Sequence, residues 1–207
     1  MEWYYWIAIA SLVICITGCI YHFIKLIKPG SPTDYSKKSG STKSGIIYSF
    51  THAMNPINKE SAFLNLPTYI SGVIYHLGTF LSIVLFFVFF ITTNLHELIS
   101  LLLAAFLLLS ALCGAVMLIK RITDKKLRHL SNPDDYISNI LVTLFQLGSG
   151  AVMFIPGLYP VYMVIASLLL LYIPLGKLKH VIYFFAARYH IGYYYGWRNV
   201  WPTAKFK

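Results

Sequence analysis

Two histidines in this sequence have the type, surroundings and spacing to do chemistry. His76 lies in the apolar run SGVIYHLGTF, and His180 in IPLGKLKHVIYFFAARYHIG, residues 173–192. Each has a glycine four residues earlier, Gly72 and Gly176. On an α-helix, positions i and i−4 share a face. Two neutral imidazoles on facing helices at one depth, each beside bare backbone, meet the needs of bis-histidine haem ligation. A helix–helix hydrogen bond accounts equally for either imidazole alone. Of the remaining five histidines, His52, His96 and His129 fall in loops and read as solvated or interfacial side chains. His22 and His190 lie near the ends of apolar runs.

The elements that position these residues belong in a membrane. Of 207 residues, 57% are hydrophobic and 12% charged, and mean hydropathy is +0.66. A soluble domain carries about 25% charged residues. Five apolar runs approach the roughly 20 residues that a bilayer crossing needs: 4–24, 68–92, 98–119, 137–155 and 160–186. The expected fold is therefore all-α, a bundle of five transmembrane helices forming one membrane domain over 1–207. The first run lacks a basic flank and a small-residue cleavage site, so it reads as a retained span. The PGLYP stretch at 156–160 predicts a tight turn between the last two spans.

The 17 Lys and Arg fall in three blocks: six over 25–59, five over 120–128 and six over 177–207. None lies at the N-terminus or in the connections 93–97 and 156–160. The positive-inside rule then places the N-terminus outside and the C-terminus in the cytoplasm. The net charge of +10 marks cytoplasmic flanks, not a nucleic-acid surface. The cytoplasmic parts are the loop 28–67 and the tail 187–207, both too short for a catalytic domain. The loop opens on the flexible composition KPGSPTDYSKKSGSTKSG and continues as IIYSFTHAMNPINKESAFLNLP, an expected amphipathic surface helix. The three cysteines, Cys15, Cys19 and Cys113, lie within spans in no metal-binding spacing.

Depth follows from the helical rise. His76 lies 16 residues before position 92 and so roughly 24 Å below the outer face. His180 lies 20 residues after Pro160, roughly 30 Å down on a straight helix; a kink at Pro174 brings the two depths together. His190 falls roughly 45 Å down, beyond the hydrocarbon. An intramembrane imidazole is expected to face the protein interior.

The run IPLGKLKH resembles the end of the last membrane helix in the gamma subunit of respiratory nitrate reductase. There a proline, a small residue, a basic residue and a haem-ligating histidine stand at this spacing. YHLGTF at 75–80 resembles that family's second helix. HVIYFFAARYHIG and NPDDYISN (132–139) are similar to a sister branch. Its members are the membrane cytochromes that accompany heterodisulfide-reductase-like and sulfite-reductase-associated iron–sulfur proteins. The resemblance runs loosely over all five spans and implies the same topology. Carried over, it makes His76 and His180 the axial ligands of the haem nearer the cytoplasm. The family's second haem would need histidines where this chain has Phe86 and Tyr162, so one haem b is expected. A ligand placement particular to the sister branch would recruit His190 or His22 instead.

A b-type haem subunit without a catalytic domain is an electron conduit. The expectation is a multi-pass subunit of a quinol-linked oxidoreductase complex in the cytoplasmic (inner) membrane. It would pass electrons between the quinone pool, menaquinone or ubiquinone, and a cytoplasmic iron–sulfur partner on the basic loops and tail. Lys177 and Lys179 would contact haem propionates or serve as an ordinary positive flank. Gln146, in mid-span, would bond a quinone carbonyl or a neighbouring helix. YYYGWRNVWP at 193–202 would be a docking patch or an aromatic belt. The alternative is a haem-free membrane anchor or assembly subunit. A small transporter ranks below both, because neither internal repeats nor discontinuous helices are evident.

Overall fold

The computed structural model describes residues 2–27, 35–55 and 64–203. Over these the chain forms helices α1 (Trp3–Ile27), α2 (Thr42–Phe50), α3 (Leu66–Phe89), α4 (Glu97–Thr123), α5 (Lys125–His129), α6 (Pro133–Val152), α7 (Tyr159–Tyr172) and α8 (His180–Trp197). There is no strand among the described residues. Among the described residues three helices are long and apolar enough to cross a membrane: Trp3–Leu26, Leu66–Phe89 and Glu97–Thr123. A fourth is counted if Pro156–Tyr172 and Lys177–Trp197 are one broken span. Between 17% and 28% of each helix's most apolar window is buried in the protein, so most of those side chains face outward, as lipid-facing helices do. The described residues are all-helical, and their three to four candidate spans are those of a multi-pass membrane protein.

The last two of the five expected runs depart from simple spans. The run 137–155 becomes α6, about 30 Å long. Asp134, Asp135, Asn139 and Gln146 keep it below the apolarity of the other three. The run 160–186 is not one helix. α7 ends at Tyr172, about 21 Å from its start, and residues 173–179 are turns and a short 3-10 segment before α8 begins at His180. Pro174 cannot donate a helical hydrogen bond and disfavours helix for the residue before it. The depth of His180 counted along a straight helix therefore does not hold.

The structure divides into two compact units, Met1–Thr17 with Pro67–Leu178, and Gly18–Leu66 with Lys179–Lys207. In the first, α4 and α7 both pack on α6. Its core is aromatic: Tyr162 stacks on Phe145 with centroids 5.7 Å apart and meets Phe89 edge-on at 5.7 Å. The first turn of α1 joins through Tyr4 and Tyr5, both against Tyr159, whose hydroxyl donates to the Phe89 carbonyl at 2.7 Å. The predicted turn at 156–160 is present as a 3-10 turn, Pro156–Leu158, with Pro160 opening α7.

In the second unit, α2 packs on α8 through glycines. A Cβ on Gly45 would stand 2.4 Å from the Gly192 carbonyl oxygen, and one on Gly192 would stand 2.6 Å from the Cα of Ile46. Gly192 and Gly196 are four apart, the spacing that lets helix backbones touch. Ser41 caps α2, accepting from the Ser44 amide, and Ser49 donates to the Arg188 carbonyl at 2.8 Å. Residues 42–45, expected as flexible chain, and 46–50, expected as the start of a surface helix, form one helix packed on α8. Residues 28–34 and 56–63 of those expectations lie outside the described ones.

Candidate functional site

His76 sits in the middle of α3, on its exposed face with Val73, Leu77 and Phe80, while Gly78, Ser82 and Phe86 face the core. This reverses the expectation that an intramembrane imidazole faces inward. The ring is fixed from its own helix. Its Nδ1 lies 2.6 Å from the Gly72 carbonyl oxygen, and a carbonyl only accepts, so Nδ1 donates. The neutral ring then carries its lone pair on Nε2, the tautomer suited to metal ligation through that atom, with the other nitrogen held by a carbonyl. A Cβ on Gly72 would meet nothing within 4 Å, so there is space one turn before the histidine. Both observations suit a flat macrocycle lying against this face.

His180 and Gly176 do not repeat the arrangement. His180 is the first residue of α8 and exposed, and Gly176 lies outside that helix. The two do not share a helical face. Gly176 instead makes room within the first unit, where a Cβ would stand 2.5 Å from the Tyr172 ring and 2.9 Å from Asp134 Oδ1. The glycine serves a tight turn, not clearance for a porphyrin. His190 is half-buried with Tyr189 beside it at 5.5 Å. His22 is half-buried too, and its ring lies 6.3 Å from Tyr183, one turn beyond His180. The second unit thus brings His22 to the start of α8.

The two stretches NPDDYISN and IPLGKLKH meet in space. Lys177 bonds the Asp135 carboxylate, and Arg121 lies 3.6 Å from the same oxygen. Asp135 also closes a capping box: it accepts from the Asn132 amide at 3.0 Å, and Asn132 accepts from the Asp135 amide at 3.1 Å. Burial opposes ionisation of Asp135, but Lys177, the Asn132 amide and Arg121 outweigh it and hold the carboxyl below its usual range. Lys177, expected at a propionate or as a plain flank, is engaged with Asp135. Lys179 caps α8 with its backbone and has no side-chain cap bond.

Gln146 is fully buried and ties α6 to α3, donating from Nε2 to the Tyr75 carbonyl at 3.0 Å and to Thr79 Oγ1 at 2.9 Å. Of its two expected roles it takes the neighbouring helix. The Tyr75 hydroxyl donates to the Asn139 carbonyl and meets Thr143, both at 3.0 Å, and Asn139 donates to the Gly114 carbonyl at 3.2 Å. These bonds join three helices, and Ser110 of α4 adds another, donating to the Ile74 carbonyl of α3 at 3.1 Å. Phe86 and Tyr162, 2% and 1% exposed, are core aromatics. Among the described residues no three His, Cys, Asp or Glu gather as a metal site, and the cysteines form no disulfide.

Sequence reasoning missed two features. The Gly192–Gly196 pair carried a spacing signal in GYYYG, and NPDD carried a capping-box signal in Asn132 and Asp135. Comparison with family models, with curated proteins and with solved structures finds no match for this chain.

Proposed function

We propose that the chain is the haem b subunit of a membrane redox complex in the cytoplasmic membrane, exchanging electrons between a quinone and a cytoplasmic iron–sulfur partner. The observation that carries this reading is the His76 imidazole. Gly72 accepts its Nδ1 proton, and a Cβ on Gly72 would meet nothing within 4 Å. His76 would hold the iron through Nε2, and His180, or in its place His22 or His190, would supply the second ligand. When bound, haem b supplies one-electron exchange. One haem is proposed because Phe86 and Tyr162 are packed aromatics without a ligating nitrogen. The basic segment at α5 (KKLRH), capped by Asp124, is the proposed dock for the acidic face of the partner.

The test is the absorbance of the purified chain with a pyridine haemochrome count. A b-type Soret band, one haem per chain and loss of the band in His76→Ala are expected. Among His180→Ala, His22→Ala and His190→Ala, one should also lose it and so name the second ligand. A haem-free anchor or assembly subunit is the second reading, favoured by the structural use of Gly176 and Lys177. A colourless protein that retains its fold and its complex would select that reading.

A further inference from the structure

The second unit has an exposed surface of unusual composition. α8 buries Ile182, Ala186, Gly192 and Gly196 and exposes most of its other side chains, among them Val181, Phe185, Tyr189, Ile191 and Tyr194. α2 adds Ile47, 54% exposed. Cations are interleaved with this surface: Arg198 lies over Tyr194 at 3.7 Å, Arg188 over Phe184 at 5.7 Å and Lys38 over Trp197 at 5.7 Å. Lys37 and Lys43 of the same unit are exposed. No Asp or Glu occurs among the described residues of this unit; all the described acids lie in the first. The unit also contains the last ten residues of α1, a membrane-crossing helix ending in Lys25 and Ile27.

We propose that the surface formed by α2 and α8 lies in the headgroup layer of the membrane and binds anionic lipid. Large apolar side chains would be poorly placed in water, and lysine and arginine poorly placed in hydrocarbon. The headgroup layer accepts both: tyrosine and tryptophan favour that level, and anionic headgroups attract a cationic face whose described residues include no acid. The cation–aromatic pairs orient each charge along the ring it covers, so apolar and charged contacts are presented together. The glycine seam makes the pair a two-helix plate whose rigidity does not depend on bulky side chains. A docked protein would have to be strongly acidic to match the charge, and it would leave the apolar side chains to be covered separately. The surface is independent of haem binding.

The test uses the full chain with Trp3→Phe and Trp6→Phe, leaving Trp197 and Trp201 as reporters. It is reconstituted in phosphatidylcholine vesicles with and without phosphatidylglycerol. The expected result is loss of tryptophan emission with acyl chains brominated near the headgroup, and protection from aqueous acrylamide. Both effects should be greater with phosphatidylglycerol. Adding Lys37→Gln and Lys43→Gln, which leaves the glycine seam untouched, should reduce the phosphatidylglycerol-dependent part. Free access of acrylamide without brominated-lipid quenching overturns the proposal, as does quenching equal in both lipids. Protection that appears only with an added redox partner overturns it too, and assigns the face to protein docking.

Discussion

Lys177 and Asp135, 42 residues apart in sequence, form an ion pair that joins the start of α6 to the turn after α7. Asp135 is 7% exposed, whereas the Lys177 side chain is 53% exposed. The partners should therefore respond unequally. Removing Lys177 leaves Arg121 at 3.6 Å and should cost about 1 kcal/mol or less. Asp135→Ala loses both cations' anchor and the capping box together, and should cost about 2–3 kcal/mol. Thermal unfolding in detergent or nanodiscs should show this order. A Lys177→Ala loss equal to that of Asp135→Ala would make the pair, not the cap, the main contribution.

The same carboxylate predicts a pH dependence. Its folded pKa is lowered, so its contribution is fully present above the unfolded value of about 3.9 and is lost as pH falls through the folded value. Between neutral pH and about pH 5, Asp135→Asn should lie below the parent in stability by a constant amount. Below about pH 4 the two should converge. Parallel curves throughout the acid range would show that Asp135 acts only as a cap.

The glycine seam is testable by the smallest addition. Gly45→Ala places a methyl 2.4 Å from the Gly192 carbonyl oxygen, and backbone cannot rotate away. It should destabilise the α2–α8 pair by about 1–3 kcal/mol and speed hydrogen exchange in both helices. Gly157→Ala is the control, with nothing within 4 Å, and should leave exchange unchanged. Equal exchange in the two variants would mean that the helices part at little cost.

What was legible in the sequence depended on whether one residue type decided the matter. Long apolar runs gave α1, α3 and α4, because nothing in them competes with helix. PGLYP gave the turn for the same reason. Residues 160–186 misled because hydropathy sums over Pro174 and Gly176 and does not register a missing backbone donor. Gly176 read as clearance because i−4 arithmetic presumes a helix where the chain forms a turn. Gly72 and His76 share a helix, and there the arithmetic held. Gln146 was legible as a costly amide but not as to its partner. That depends on α3 approaching α6, a tertiary relationship that no local pattern encodes.

Gln146 yields a prediction that separates structure from substrate. Its amide donates to two atoms of α3, while Oε1 is buried without a partner. Gln146→Leu removes two donated bonds and one unpaired carbonyl, so the loss should be only about 1 kcal/mol. Tyr75→Phe removes a hydroxyl from Asn139 and Thr143 with no such offset, and should cost at least as much. If the chain oxidises quinol, Gln146→Leu should leave the KM for quinol unchanged. A several-fold rise in KM at unchanged stability would return Gln146 to the quinone.

Gly72 offers the sharpest separation of fold from ligand. It lies one turn before His76 on the same face of α3, its carbonyl holds Nδ1 of His76, and a Cβ there meets nothing within 4 Å. Gly72→Leu keeps that carbonyl and exchanges a poor helix former for a good one, so helix and stability should be retained or improved by about 0.5–1 kcal/mol. The isobutyl group would, however, cover the surface against which the macrocycle is proposed to lie. The expected outcome is a folded protein with the Soret band lost or strongly reduced, while Gly72→Ala keeps most of it. Circular dichroism and thermal unfolding establish that both variants fold, and the haemochrome assay counts the haem. If Gly72→Leu binds haem as fully as the parent, no ring lies over this turn. The hydrogen bond from His76 to Gly72 would then be only a way of satisfying an imidazole within its own helix.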